Sequence, residues 1–200
     1  MAFRFFYDFS SSYSYLSAMR MEAAAEAAGV TVEWTPFLLG PIFAAAGYAS
    51  SPNVASEDKG AFMWEDIARR AAHRGLPFVK PAVFPQRSVT AGRAALALSG
   101  AERAAFTRAV FTEEWGKGHD IADAAVIAAA ATAAGLDPDK VAVGAKSDAA
   151  KAGLFANTEA AQAAGVFGAP TFVTSDGNRF WGDAQLADAL AWETTGKLAE

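Results

Sequence analysis

The chain has 200 residues, of which 52% are hydrophobic, with a mean hydropathy of +0.13; that is enough for one sizeable core. Its 17 basic and 22 acidic side chains leave a net charge of -5 with no basic patch, which argues against nucleic acid as the main partner. It has no cysteine, so by itself it offers no disulfide, no thiol nucleophile and no cysteine metal site.

The start, Met1-Ala2-Phe3-Arg4, lacks the basic-then-apolar layout of a signal peptide. The most apolar helical stretch, Ala124–Ala134, is far shorter than the roughly 18 residues of a membrane span. A cytoplasmic protein with no membrane partner is therefore expected.

Phe3–Phe9 reads as a strand without clean alternation, hence one covered on both faces. A helix over Ser12–Ala28 follows, with Leu16, Met19 and Ala23 on its apolar face and Gly29 as its stop. Val30–Pro36 alternates as a second strand, completing a βαβ unit. Phe37–Ser56 is rich in Gly, Pro, Ser and Ala and reads as irregular with some helical turns, a kind of segment that is more often functional than structural.

From Lys59 the pattern is helical, with Met63, Ile67 and Ala71 on one face and Glu65, Asp66, Arg69 and Arg70 facing away. Gly75 and Pro77 end it. Phe78–Gln86 is extended. Ser88 is placed to cap Val89–Ser99, and Glu102–Gly116, Ala124–Ala134, Pro138–Gly144 and Ser147–Ala164 continue the helical run. Thr171–Ser175 and Asn178–Trp181 then read as a hairpin turned at Asp176-Gly177, and Ala184–Trp192 as a last helix. The order is βαβ, about five helices, then ββα. Strands at both chain ends predict one sheet assembled from both ends, with the helices inserted between its halves.

Ser10-Ser11-Ser12 falls where the first strand gives way to the first helix. A helix start leaves N–H groups unpaired and carries partial positive charge, so it favours an anion. Serine there is also the usual cap. The local sequence leaves both roles open.

Two motifs together carry a resemblance. Phe6-Tyr7-Asp8-Phe9-Ser10-Ser11-Ser12-Tyr13-Ser14-Tyr15-Leu16 opens the chain, and Gly165-Val166-Phe167-Gly168-Ala169-Pro170-Thr171-Phe172 with Phe180-Trp181-Gly182 closes it. The chain resembles the 2-hydroxychromene-2-carboxylate isomerases and the kappa-class glutathione transferases. Lys59, Pro81, Phe84-Pro85 and Arg93-Ala94-Ala95 fit the same pattern. The resemblance implies an α/β thioredoxin-like fold with an inserted all-helical domain of the DsbA/kappa type. Residues 1–36 and 166–200 would form the thioredoxin-like part and 37–165 the insertion. It also implies a homodimer, glutathione as cofactor and a small aromatic or chromene carboxylate as substrate.

In that family a serine takes the place of the attacking cysteine of the redox enzymes, and the matching position is Ser11. The resemblance implies that Ser11 holds the glutathione thiolate. Pro170 is implied to be cis, and Ala169 to pair with the cysteinyl part through its main chain. Lys59 is implied to meet the glycyl carboxylate. The chain departs from the pattern at three places. Ser12 stands where proline is usual, and Ser50 where asparagine is, with Asn53 nearby. The carboxylate that would hold the γ-glutamyl amine comes one place early, at Asp183, with Ala184 in the usual position.

The isomerase reading implies thiolate addition to an unsaturated α-keto acid, rotation about the resulting single bond and expulsion of glutathione. Arg87, Lys80 and Asn53 are candidate donors to a substrate carboxylate; Phe37, Trp64 and Phe84 are candidate apolar walls. A glutathione transferase and a non-catalytic thioredoxin-like binding protein remain as alternatives. A serine hydrolase is disfavoured, because the histidines His73 and His119 both lie in the helical region and no nucleophile elbow frames the serine.

Overall fold

The computed structural model describes residues 2–199. Positions 1 and 200, the outer bounds of the two-part thioredoxin-like region, lie outside them.

Strand β1 (Phe3–Tyr7) sits inside a four-stranded sheet. Helix α1 (Ser12–Ala28) carries the chain to β2 (Val32–Pro36), which pairs parallel to β1 with Phe5 opposite Trp34. The last two strands, β3 (Thr171–Val173) and β4 (Arg179–Trp181), pair antiparallel, and the order is β2-β1-β3-β4. Both sheet faces are covered, which explains why β1 does not alternate. Phe3, Phe5 and Tyr7 join the main core with Trp34 and Phe172, while Phe6 joins a second cluster with Phe37, Ile42 and Val173.

Between β2 and β3 the chain is helical: α2 (Leu39–Ala45), α3 (Pro52–Ala55), α4 (Glu57–His73), α5 (Val89–Leu96), α6 (Gly100–Phe111), α7 (Ala124–Ala133), α8 (Pro138–Lys146) and α9 (Asp148–Ala163). Helix α10 (Leu186–Thr195) closes the chain. Phe106, Phe111 and Trp115 of the helical region share one core with β1 and α1. No helix among the described residues is long and apolar enough to cross a membrane.

Several local expectations need correction. The segment 37–56 contains two short helices, one of them begun at Leu38 without any side-chain cap. Helix α6 passes into a π-helical turn at Thr112–Gly116. Ala23 of α1 is exposed; the buried face instead carries Tyr15, Leu16, Ala18, Met21 and Ala25 together with Ser14 and Ser17. Asp66 of α4 is buried rather than outward, where it accepts hydrogen bonds from Tyr13, Arg69 and Arg70. The hairpin is wider than a two-residue turn: Val173 faces Arg179, leaving 174–178 as the loop, with Gly177 at φ 89. Asp176 organises that loop by accepting from Thr174, Asn178 and Trp192.

Candidate active site

Ser11 is the N-cap of α1. Its Oγ accepts the N–H of Ser14 at 3.2 Å and donates to the Ala169 carbonyl at 2.9 Å. The hydroxyl that caps α1 thus also reaches the segment before Pro170. The Ala169–Pro170 peptide is cis. No acidic residue lies in the first turn of α1 itself. The N–H groups of Ser12, Tyr13 and Ala169 have no protein partner among the described residues. Ser10 is the turn residue: its N–H and hydroxyl both donate to Asp8 Oδ1 at 3.0 Å.

A cavity of about 860 Å³ opens at this corner. Ser10, Ser11, Ser12 and Ala169 form one wall, and Ser50, Asn53 and Lys59 of the α3–α4 region another. Leu39, Ile42, Phe43, Met63 and Phe84 make it largely apolar, and the exposed rings of Phe167 and Trp181, 4.8 Å apart, stand at its rim.

Asp8 is the acidic residue of the lining. Burial raises its pKa, against hydrogen bonds from Leu39, Ser88 and Ser10. The Tyr13 phenol is committed to Asp66 at 2.9 Å, and burial with that carboxylate beside it raises its pKa too, so it is no ready acid. Ser88 stands at the start of α5 but makes no side-chain cap to it, contrary to expectation.

Of the residues anticipated from sequence, Ser11, Ala169, Asn53 and Lys59 come together at the cavity, with Pro170 buried directly behind. Asp183 does not. It sits outside the lining at 2% exposure, with Oδ1 held by Ser17 and Arg20 and Oδ2 by Arg74 at 2.6 Å. Helix α1 and the end of α4 thus meet on this carboxylate, which is not part of the cavity lining. Ala184 is exposed beside it.

Among the candidate substrate contacts, Phe84 and Arg87 line the cavity. Phe37 is core, Trp64 packs against Phe84 and Phe78, and Lys80 lies over the Trp64 ring at 4.9 Å. His119 is bonded to Glu113 at 2.8 Å, away from the serines. Sequence reasoning missed Gln86, which is buried and donates to the His119 carbonyl while accepting from Ile121 N–H. It also missed Gly168, where a Cβ would stand 2.5 Å from Trp181 Nε1. The only signal for Gly168 was a glycine directly before Ala169-Pro170.

Residues 3–192 match the family model of the DsbA-like thioredoxin domain. The chain is 31% identical over 183 residues to a 2-hydroxychromene-2-carboxylate isomerase of Sphingobium xenophagum, covering 91% of this chain and 92% of that protein. A protein of the same name from Pseudomonas putida is 30% identical, with 91% and 89% covered. The chain belongs to this isomerase family within the DsbA-like thioredoxin fold. A solved 2-hydroxychromene-2-carboxylate isomerase superposes with a TM-score of 0.83 at 28% identity, covering 93% of this chain and 91% of that one. The cytosolic disulfide reductase DsbM of Pseudomonas aeruginosa, solved with GSH, shares the fold at a TM-score of 0.66 and 20% identity, with 96% of each chain covered.

Proposed function

We propose that the chain is a glutathione-dependent isomerase of the 2-hydroxychromene-2-carboxylate type, acting on a small aromatic or chromene carboxylate. The observation that carries this reading is the Ser11 hydroxyl: it caps α1, lies 2.9 Å from the Ala169 carbonyl and lines a largely apolar cavity. The donor set fits a thiol tripeptide. The open N–H groups of Ser12 and Tyr13 and the Ser11 hydroxyl suit a thiolate, the free Ala169 N–H suits an extended peptide, and Lys59 suits a carboxylate.

Bound glutathione would supply the thiol that the chain lacks, for reversible addition to an unsaturated α-keto acid. The task of the protein is to keep that thiol ionised and placed. A free thiol has a pKa of about 8.5, and the positive end of a helix lowers it. Ser11 adds a directed donor. A hydroxyl carries one proton, so Ser11 serves a sulfur by turning that proton away from Ala169 about the Cβ–Oγ bond. Asn53, bonded through Nδ2 to Met63 Sδ at 3.1 Å, and Lys59 on the opposite wall would hold the bound cofactor there. The apolar lining would exclude water from a bound substrate.

Two measurements test the proposal. Calorimetric titration with glutathione is expected to show binding; silence at millimolar ligand removes the cofactor from the reading. The absorbance of 2-hydroxychromene-2-carboxylate is expected to change with enzyme only when glutathione is present. A glutathione adduct accumulating instead would favour a transferase. Sedimentation tests the homodimer that belongs to the same reading.

A further inference from the structure

Arg87 lines the cavity yet forms no ion pair among the described residues. Elsewhere in this acidic chain, Arg4, Arg20, Arg69, Arg70 and Arg74 each hold a carboxylate. Arg93, Arg103 and Arg179 also stand outside the ion pairs, but none of them lines the cavity; Arg87 does, and the one acidic residue there, Asp8, already accepts from Ser10 on Oδ1 and from Leu39 on Oδ2. An uncompensated guanidinium at an apolar wall favours an anion there.

The backbone that carries Arg87 is fixed on both sides. Gln86 is clamped between His119 O at 3.1 Å and Ile121 N at 2.8 Å. Ser88 is buried close enough to Asp8 to favour its carboxylate form, and Asp8 in turn accepts from Ser10. The chain of contacts Ser88–Asp8–Ser10 ties the Arg87 segment to the turn that carries Ser11. Lys59, the other unpaired cation of the lining, belongs to the α3–α4 wall. Phe84, on the Arg87 segment, is held edge-on by Trp64 with ring centroids 4.9 Å apart, and supplies an aromatic surface within the same wall.

We infer that Arg87 is the specificity residue that anchors the carboxylate of a planar aromatic acid against the Phe84 wall, leaving Lys59 to the thiol cofactor. The inference rests on the isomerase reading for the reaction that follows, but the carboxylate preference exists without it. A planar acid held there lies on the wall that is tied to Ser11. A planar fork of donors also suits a carboxylate better than a single ammonium does.

The test is calorimetric titration with naphthalene-2-carboxylate and with the neutral naphthalene-2-carboxamide, on wild type, Arg87→Met, Arg87→Lys and Lys59→Met. Wild type is expected to favour the carboxylate by about tenfold or more, as a charge-assisted hydrogen bond allows. Arg87→Met is expected to bring the two ligands within about twofold, Arg87→Lys to restore part of the preference, and Lys59→Met to keep it. Equal binding by wild type overturns the inference, as does a preference that survives Arg87→Met or is lost in Lys59→Met. Because Arg87 is exposed, the variants are expected to melt with wild type, which circular dichroism checks. The separate glutathione titration distinguishes the two readings. A wild type that prefers the carboxylate but ignores glutathione overturns the isomerase assignment alone; one that binds glutathione without the preference overturns the role of Arg87 alone.

Discussion

The hydroxyl of Ser11 and the carbonyl of Ala169 meet at 2.9 Å across 158 residues of sequence. The contact joins the N-terminus of α1 to the segment that enters β3. It brings together the two motifs by which the chain resembles its family. It also places a donor, a free N–H at Ala169 and the open end of a helix on a single wall.

Replacing Ser11 tests whether that wall is more than a cap. Ser11→Ala removes the acceptor of the Ser14 N–H and is expected to cost about 1 kcal/mol of stability. Its effect on kcat/KM with glutathione is expected to be larger, about 10²-fold, the usual loss for one preorganised donor. Ser11→Asn keeps the cap and is expected to recover the urea midpoint without recovering the rate. If Ser11→Ala turns over at the wild-type rate, Ser11 is a cap alone.

Asp183 is predicted to matter for stability and not for the cofactor. Its carboxylate is buried, and Ser17, Arg20 and Arg74 converge on it. Removing one partner of a buried pair costs about 3–5 kcal/mol, and Asp183→Ala is expected at the lower end because both arginines keep some exposure. Urea unfolding measures the loss. Under conditions where the variant is folded, its glutathione affinity is expected to match wild type. A tenfold weaker affinity would return Asp183 to the binding site.

This residue also marks what the sequence could and could not disclose. The βαβ unit, the helical run and the closing ββα were legible because each rests on local periodicity and punctuation. Ser11 and Ala169 were legible through paired motifs. The surroundings of Asp183 were not: its position after Trp181-Gly182 suggested the cofactor, and the side chains that bond it, Ser17 and Arg74, lie 166 and 109 residues away. Helix α2 was hidden because Leu38 offers no capping signal, and Asp66 because i, i+4 spacing cannot show that Tyr13 arrives from another helix. Choosing Arg87 over Lys80 needed coordinates. Lys80 lies in the extended stretch and Arg87 directly after it, but the Lys80 ammonium lies over the Trp64 ring.

Glu114 predicts a pH dependence. It is fully buried in the π-helical turn, and neither carboxylate oxygen has a partner. Burial, with the negative charges of Asp8 and Asp120 nearby, raises its pKa well above the ordinary 4.5. A folded pKa above the unfolded one means that the unfolded chain releases the proton first. The stability associated with Glu114 is therefore complete below about pH 4.5 and is lost as pH rises through the folded pKa. Glu113 and Asp66 act in the opposite sense: although burial raises both, their cationic partners hold them low. The comparison must therefore be with Glu114→Gln. That variant is expected to exceed wild type in urea midpoint at about pH 8 and to converge with it near pH 4. Parallel curves across that range would contradict the assignment.

Gly60 offers a test of how the Asn53–Lys59 wall is built. It is buried in α4, and a Cβ there would stand 2.6 Å from the main-chain carbonyl oxygen of Asn53. Backbone cannot swing aside as a side chain can, so Gly60→Ala must push α3 away from α4, at about 1–3 kcal/mol for overpacking. Alanine returns about 1 kcal/mol of helix propensity, leaving a small net loss. Gly153→Ala is the control: it lies inside α9, its Cβ would meet Leu96 at an ordinary 3.5 Å, and it is expected to stabilise by about 1 kcal/mol. Amide exchange should accelerate in 51–56 for Gly60→Ala only, with weaker glutathione binding because Asn53 shifts relative to Lys59. If exchange there is unchanged and binding is intact, α3 does not shape the cofactor wall.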